Sequence, residues 1–453
     1  MRHLLMVCAL ALTAGTAHAQ QTDKQPETTA ADTAGLRMPP DCARDSQPQD
    51  VATADSLCLS RPEAVAAALQ RNPQLKAVEE QVAQARARKV QGTAFPDPQF
   101  AAEWGNSTRL FGGEAGTKTV AATLTIPFFD KFRLWHDIGR ADVQANQANL
   151  ELVRQLLASQ TSETYDSLLM SIRHRRILED AKSMADEFLA KTESRFRAGT
   201  VPRLDVVQAQ VDEASAQNDL IASESGVANA RAALNRLLDR PLGAPISASD
   251  SLAVPPDLPP LDTLLGAAVG ARPDVTGLNR QLEGARANTA LVHEFWFPDI
   301  AIGVGHDYAA PGPGNLFTAV YFPIPIFYWN HAKGEIAQSR HAEAELEASR
   351  QDLLAQVNQD VRVAYAAAST SLRQVQFQRD VLVPSAREAY RIAIASYALG
   401  GSSSLEVLSA RRALTDAESQ YTDALAAADM SRTELERAVA VPLSSFQAGG
   451  PAR

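Results

Sequence analysis

The chain has little of what catalysis or soft-metal carriage needs. Its 453 residues hold only 3 cysteines, 8 histidines and 6 methionines. No GxSxG elbow, HExxH pair or GxxxxGK loop occurs anywhere in it, so the common nucleophile, zinc-hydrolase and phosphate-cradling chemistries lack their frames. The histidines are scattered. His331 and His341 flank a helix start ten residues apart, which is not the i,i+4 spacing of two ligands on one helix face. The sequence therefore reads as a non-enzyme with no cofactor and no resident metal. A basic excess is missing too. The formal net charge is -10, whereas nucleic-acid binding asks for a basic face. Beyond the first dozen residues no run approaches the eighteen or so apolar residues of a membrane helix.

What is present begins with a leader. Arg2, the apolar stretch at residues 4–12 and the Ala17-His18-Ala19 site form a secretory signal peptide over 1–19, cut after Ala19. Cys8 follows Val7 and lies too early to carry a lipid. Cleavage removes Arg2 and no acid, so the net charge goes from -10 to -11. The mature chain is exported, and is either soluble or embedded as a β-barrel, whose alternating strands escape hydropathy. Cys42 and Cys58 remain. They form either a disulfide, which an oxidising compartment permits, or two free thiols. Residues 20–56 are polar, rich in Thr, Gln, Asp and Pro, and read as a mobile tail.

The rest is written twice. "FRAGTVPRLDVVQAQ" (196–210) aligns with "YALGGSSSLEVLSAR" (397–411) at a constant offset of 201. Asn72-Pro73 answers Arg272-Pro273, Phe95-Pro96-Asp97 answers Phe297-Pro298-Asp299, and Pro241-Leu242 answers Pro442-Leu443. A period this long gives two pseudo-equivalent halves, not a solenoid. The first repeat spans 57–241 and the second 261–443. A Pro-rich linker (242–260) joins them, and a short tail (444–453) follows.

Each repeat has one order: a helical stretch (61–94, 273–296), a β-hairpin (about 98–129, 299–327), a very long helix (131–198, 331–399), a Gly turn and a second long helix (202–239, 402–440). At 1.5 Å per residue, the long helix measures on the order of 100 Å. Its seams are heptad-like and Ala-rich: Val407, Ala410, Leu414, Ala417, Tyr421, Ala424, Ala428 and Leu435 late in the chain, Leu204, Val207, Val211 and Ala214 after the first turn, and Ala141, Ala145, Ala148 and Leu152 after the first hairpin. In the hairpins apolar residues alternate. Phe100, Ala102 and Trp104 share one parity, as do Val120, Ala122, Leu124 and Ile126, then Ile300, Ile302 and Val304, then Leu316, Val320 and Phe322. Such strands suit a lipid face and a lumen face. Trp104, Phe111, Tyr308 and Phe317 fall near strand ends, as belt aromatics do. Pro127, Pro323 and Pro325 stand where strand becomes helix, since proline donates to neither ladder. Two hairpins make too few strands to close, and open edges cannot face lipid; three chains would supply twelve strands.

In this order, with "LSRPEAVAAALQRNPQLKA" (59–77), "FPDPQF" (95–100), "FRAGTVPRLDVVQAQ" (196–210) and "IPIFYWNHAKGEIAQSR" (324–340), the chain resembles the TolC-like outer-membrane factors of tripartite efflux pumps, over residues 57–443. The stretch 325–337 is similar to the heavy-metal cation branch. The resemblance implies a mainly α fold with a small β-barrel part: a homotrimer with a twelve-stranded barrel in outer-membrane lipid and an α-helical barrel in the periplasm. It implies a periplasmic adaptor and a proton-driven, RND-type inner-membrane transporter as partners. It also implies that the tips at Gly199 and at Gly400-Gly401 form the periplasmic entrance, with Asp205 and Glu406 ringing it. The further acid the family can carry after the later turn is absent, and Ser409 stands there. The other readings are a duct for drugs or secreted protein, and a soluble periplasmic coiled-coil scaffold.

Overall fold

The computed structural model describes residues 57–108, 114–127, 129–294, 297–308, 315–322 and 332–447. The leader, the polar tail with Cys42, and Phe111, Pro323 and Pro325 lie outside the described residues. The described chain opens with β1 (Leu57–Leu59), α1 (Arg61–Arg71) and α2 (Pro73–Gly92). Cys58 of β1 is disulfide-bonded. The amide and hydroxyl of Ser60 both donate to the Glu63 carboxylate at 2.8 Å, which fixes the start of α1. The single helix expected over 61–94 is in fact two. Pro73 forces Asn72 out of the helical region, to φ -60° and ψ 125°. Asn72 Oδ1 then accepts the Gln74 amide at 2.9 Å, capping α2.

β2 (Gln99–Thr108) and β3 (Glu114–Ile126) follow, then α3 (Phe129–Arg197, 69 residues), α4 (Arg203–Leu237) and β4 (Ile246–Ala248). β4 lies in the expected linker and pairs parallel with β1, Leu57 opposite Ile246. The second repeat runs α5 (Leu261–Ala271), α6 (Pro273–His293), β5 (Ile300–Asp307), β6 (Asn315–Tyr321) and α7 (Ala332–Phe377). Arg272-Pro273 breaks α5 from α6 as Asn72-Pro73 breaks α1 from α2. A π turn (Gln378–Leu382) then leads into α8 (Val383–Ala398), which is followed by α9 (Ser404–Val439). The expected 331–399 helix is thus interrupted. Pro384 is the cause: it has no amide for the Asp380 carbonyl, and its ring crowds the preceding turn. A four-residue helix, α10 (Ser444–Gln447), falls in the expected tail.

α3 is the spine of the first repeat and packs against α1, α2, α4, α6 and α9. Contacts with α6 are close because the residues are small. A Cβ built on Gly284 would lie 3.2 Å from the Ala141 methyl, and one on Gly277 3.4 Å from that of Ala148. The largest apolar cluster sits midway, where Tyr165, Leu168 and Ile172 of α3 meet Ala64 and Ala68 of α1, Leu234 of α4, Ile246 of β4 and Leu425 of α9. A second cluster joins Leu264 of α5, Val357 and Val361 of α7 and Leu435 of α9. The α9 seam is largely buried as expected, at Val407, Leu414, Ala417, Ala424, Ala428 and Leu435. The α4 seam is not. Leu204, Val207 and Val211 are 63%, 45% and 63% exposed, and Ala209, Asp212 and Ala216 are buried instead. The buried stripe of α4 includes an acid, which a search for apolar periodicity passes over.

Candidate functional site

Two features are the candidates for function: the sheet and the two hairpin tips. The two β-hairpins pair into one antiparallel sheet of order β2-β3-β5-β6. Its central contact, β3 with β5, joins the repeats from Thr119 opposite Asp307 to Ile126 opposite Ile300. Directly paired residues share a face. The ladder therefore gathers Phe100, Ala122, Val304 and Thr318 into one row, and Ala102, Val120 and His306 into the next. This is the face whose apolar alternation was legible in the sequence. It is bare: Phe100 is 81% exposed, Trp104 73%, Leu316 69% and Val320 63%. A continuous apolar face of this kind marks contact with a membrane or another protein.

The opposite face is small and polar, with Thr119, Ala121, Thr123 and Thr125 along β3. Phe317 belongs here and not to an aromatic belt. It stands opposite Gly305, and a Cβ on Gly305 would sit 2.5 Å from its ring. Its ring lies over the bare glycine backbone, an aromatic cover that sheets use to shield glycine. Both edges of the sheet, β2 and β6, lack a strand neighbour among the described residues. Pro127, one residue after β3, is buried.

Both tips use one device. Gly199 and Gly400 have φ +73° and +82°, the left-handed region that glycine enters without cost. The amide of the next residue then reaches back into the helix. Thr200 N donates to Arg195 O at 3.0 Å, and Gly401 N to Ser396 O at 2.9 Å. This is a Schellman closure in both repeats. Asp205 and Glu406 then stand in the first turns of α4 and α9, where a negative charge faces the positive helix end. Asp205 is half-buried and Glu406 exposed. Neither carboxylate has a side-chain partner among the described residues. Ser403 caps α9, its hydroxyl accepting the Glu406 amide at 3.3 Å; Pro202 holds the corresponding place in α4 without a side-chain bond. The Ser409 hydroxyl donates to Glu406 O at 2.9 Å, closing on its own helix.

Sequence reasoning missed the residue that ties the tips together. Arg195, in the last turn of α3, donates through Nη1 to the Tyr397 carbonyl at the end of α8, and its guanidinium lies 4.5 Å from the Tyr397 ring centre. A cation on a helix C-terminus complements the dipole there. Tyr397 in turn sits 5.2 Å from Phe188, and its hydroxyl donates to Thr192 Oγ1 at 3.3 Å. Nothing in "SRFRAGT" separates Arg195 from Arg197; only the tertiary approach of the hairpins does. Further from the tips, Arg411 and Asp212 form a buried two-point ion pair between α9 and α4 at 2.6 and 3.0 Å.

Comparison with known proteins adds four findings. A family model described as "Outer membrane efflux protein" matches residues 64–240 and 264–441, one match per repeat. The chain is similar to the cobalt-zinc-cadmium resistance protein CzcC of Cupriavidus metallidurans, 23% identical over 353 residues, covering 77% of this chain and 82% of the relative. It is also similar to the toluene efflux pump outer membrane protein TtgF of Pseudomonas putida, 29% identical over 329 residues, covering 68% of this chain and 67% of that one. Among solved structures it matches CusC with a TM-score of 0.71 at 20% identity, over 86% of this chain and 94% of that chain.

Proposed function

The chain belongs to the outer membrane efflux protein family and is an outer-membrane efflux channel, not an enzyme; from that premise we propose that it is the exit duct of a tripartite pump for heavy-metal cations. Three copies associate. Their four-stranded sheets close edge to edge into a twelve-stranded barrel, with the bare apolar face in lipid and the Thr-lined face around water. The helical hairpins extend into the periplasm and end at the tips. A periplasmic adaptor and an inner-membrane, proton-driven transporter deliver the substrate, and the duct conducts it passively.

The observation that carries this reading is the sheet, which has an exposed apolar face and two unpaired edges. Water disfavours the apolar face and lipid disfavours the open edges, whereas a closed barrel in lipid satisfies both. High-salt washing and fractionation test it. The protein is expected to stay with the outer membrane and to need detergent for release; recovery as a soluble periplasmic monomer would refute it.

The cation substrate rests on two supports: similarity to the resistance protein CzcC, and the unpartnered acids Asp205 and Glu406 beside the two Gly turns. Planar-bilayer recording decides whether these acids act on cations. Asp205→Asn with Glu406→Gln should lower cation selectivity and single-channel conductance by about two-fold or more, since removing six charges from a narrow mouth weakens its field. Unchanged selectivity would remove the acids from the mechanism. Similarity to the toluene efflux protein TtgF supports a second reading, a duct for organic solutes, which predicts export defects for solvents and none for metals in a deletion strain. For Cys58, we propose Cys42 as the disulfide partner, to be checked by peptide mapping without reductant.

A further inference from the structure

A buried charge cluster lies where α1, α3 and α9 meet, far along the chain from both the sheet and the tips, and it joins the first repeat to the second. Arg61, the first residue of α1, donates through Nη2 to Asp166 Oδ1 on α3. The same nitrogen lies 3.3 Å from Asp429 Oδ2 on α9. The Asp166 side chain is 0% exposed, and its Oδ2 has no hydrogen-bond partner among the described residues. The other charges facing the cluster are few. Glu163 lies one turn earlier on α3, and Arg432 one turn on from Asp429 on α9. Asp250, after β4, is engaged by the Arg61 amide at 2.7 Å and the Tyr165 hydroxyl at 3.2 Å.

An ionised carboxylate with one bare, buried oxygen is costly, because no solvent or donor replaces its lost hydration. Here two carboxylates also compete for one guanidinium nitrogen. A proton on Asp166 Oδ2 relieves both conflicts and leaves Arg61 to Asp429. Burial, above all, raises the Asp166 carboxyl, to about 7, against the pull of Arg61; the Asp429 charge adds to the rise. Burial raises Asp429 as well, with Arg61 opposing.

We propose that Asp166 is a proton-binding site at the joint between the two repeats, and that its occupancy sets how firmly α9 is held to α1. With the proton bound, Arg61 pairs with Asp429 and ties α9 down. When the proton leaves to solvent, Asp166 takes the guanidinium and the Asp429 contact weakens.

The sign follows from linkage. The folded protein binds the Asp166 proton more tightly than the unfolded chain, whose aspartates titrate near 3.9. This contribution to stability is therefore full at low pH and fades as pH rises from about 4 to about 7. The experiment uses full-length protein in detergent, melted at a fixed heating rate from pH 5 to pH 9. Relative to Asp166→Asn, the wild type is expected to lose about 2–4 °C as pH rises through 7 and then level off. Equal pH slopes in the two proteins would overturn the proposal. Infrared pH-difference spectra of 13C-aspartate-labelled wild type give a readout that needs no variant. A protonated-carboxyl band should fade near pH 7, and its absence at pH 6 would equally overturn the proposal. Hydrogen exchange of α9 amides around Asp429, corrected for intrinsic rate, should rise over the same range.

Discussion

At the scale of the residue, stability depends on a few positions where a side chain meets an unusual demand. Arg411 and Asp212 are 6% and 1% exposed in their side chains, and the exposed Arg412 reaches the same carboxylate only at 3.4 Å. Arg411→Ala should cost about 3 kcal/mol in equilibrium or thermal unfolding, because it leaves the buried Asp212 carboxylate with only the longer Arg412 contact. Arg411→Met with Asp212→Leu should recover most of that, since no charge is then left unpaired. Ala440 ends α9 in the left-handed region at φ 60°, where its methyl is strained and glycine is not. Ala440→Gly is expected to stabilise by about 1 kcal/mol, read as a rise in melting temperature. Gly400→Val does the reverse at φ +82°, costing about 1–3 kcal/mol. Arg195→Ala removes the charge-assisted bond to Tyr397 O and its ring contact, and should raise proteolysis at the second tip without moving the global melting temperature by more than a few degrees.

At the scale of the element, the sheet and the long helices obey different rules. The sheet has one bare apolar face and one small, polar face, and substitutions should sort by face and not by strand. Val304→Arg, on the bare apolar face, is expected to cost about 2–4 kcal/mol of membrane stability and to reduce the amount of assembled protein in outer membranes. Thr123→Lys, on the other face of β3, should assemble normally and alter ion selectivity. Among the helices, the first long one is continuous for 69 residues, while its counterpart carries a π turn ahead of Pro384. The two hairpins are thus mechanically unequal although they descend from one pattern. Bending of the second hairpin should concentrate at Gln378–Leu382, where amide exchange is expected to be faster than at the matching level of α3.

At the scale of the whole molecule, the repeats are bound to each other at several heights. β3 pairs with β5 in the sheet, α3 packs on α6 and α9, and Arg195 reaches Tyr397 at the tips. What one chain leaves open is equally consistent: the β2 and β6 edges and the exposed Leu204, Val207 and Val211 stripe of α4. Single cysteines placed along β2 and along β6 of one chain are therefore expected to form intermolecular crosslinks and to yield a trimer ladder on oxidation. Crosslinks confined to one chain would contradict closure between copies.

The sequence by itself determined the duplication, the alternation that marks one apolar sheet face, the Gly turns and the length of the first long helix. These are local facts: period, parity and backbone freedom are written in neighbouring residues. It could not determine that the two hairpins join into one sheet through β3 and β5, because strand order is a pairing across the two repeats. It misread α4, where the buried stripe holds Asp212, because whether an acid is buried depends on an Arg411 that arrives 199 positions later. It took Phe317 for a belt residue because parity shows which residues share a face but not what lies beneath a ring. Arg195, Arg61 and Asp166 were silent for the same reason. Each is an ordinary charged residue on a helix until the tertiary structure puts a carbonyl or a second carboxylate against it, or leaves one of its oxygens buried and bare. Partner identity and burial, which set the energy of a charge, are properties of the fold and not of the residue.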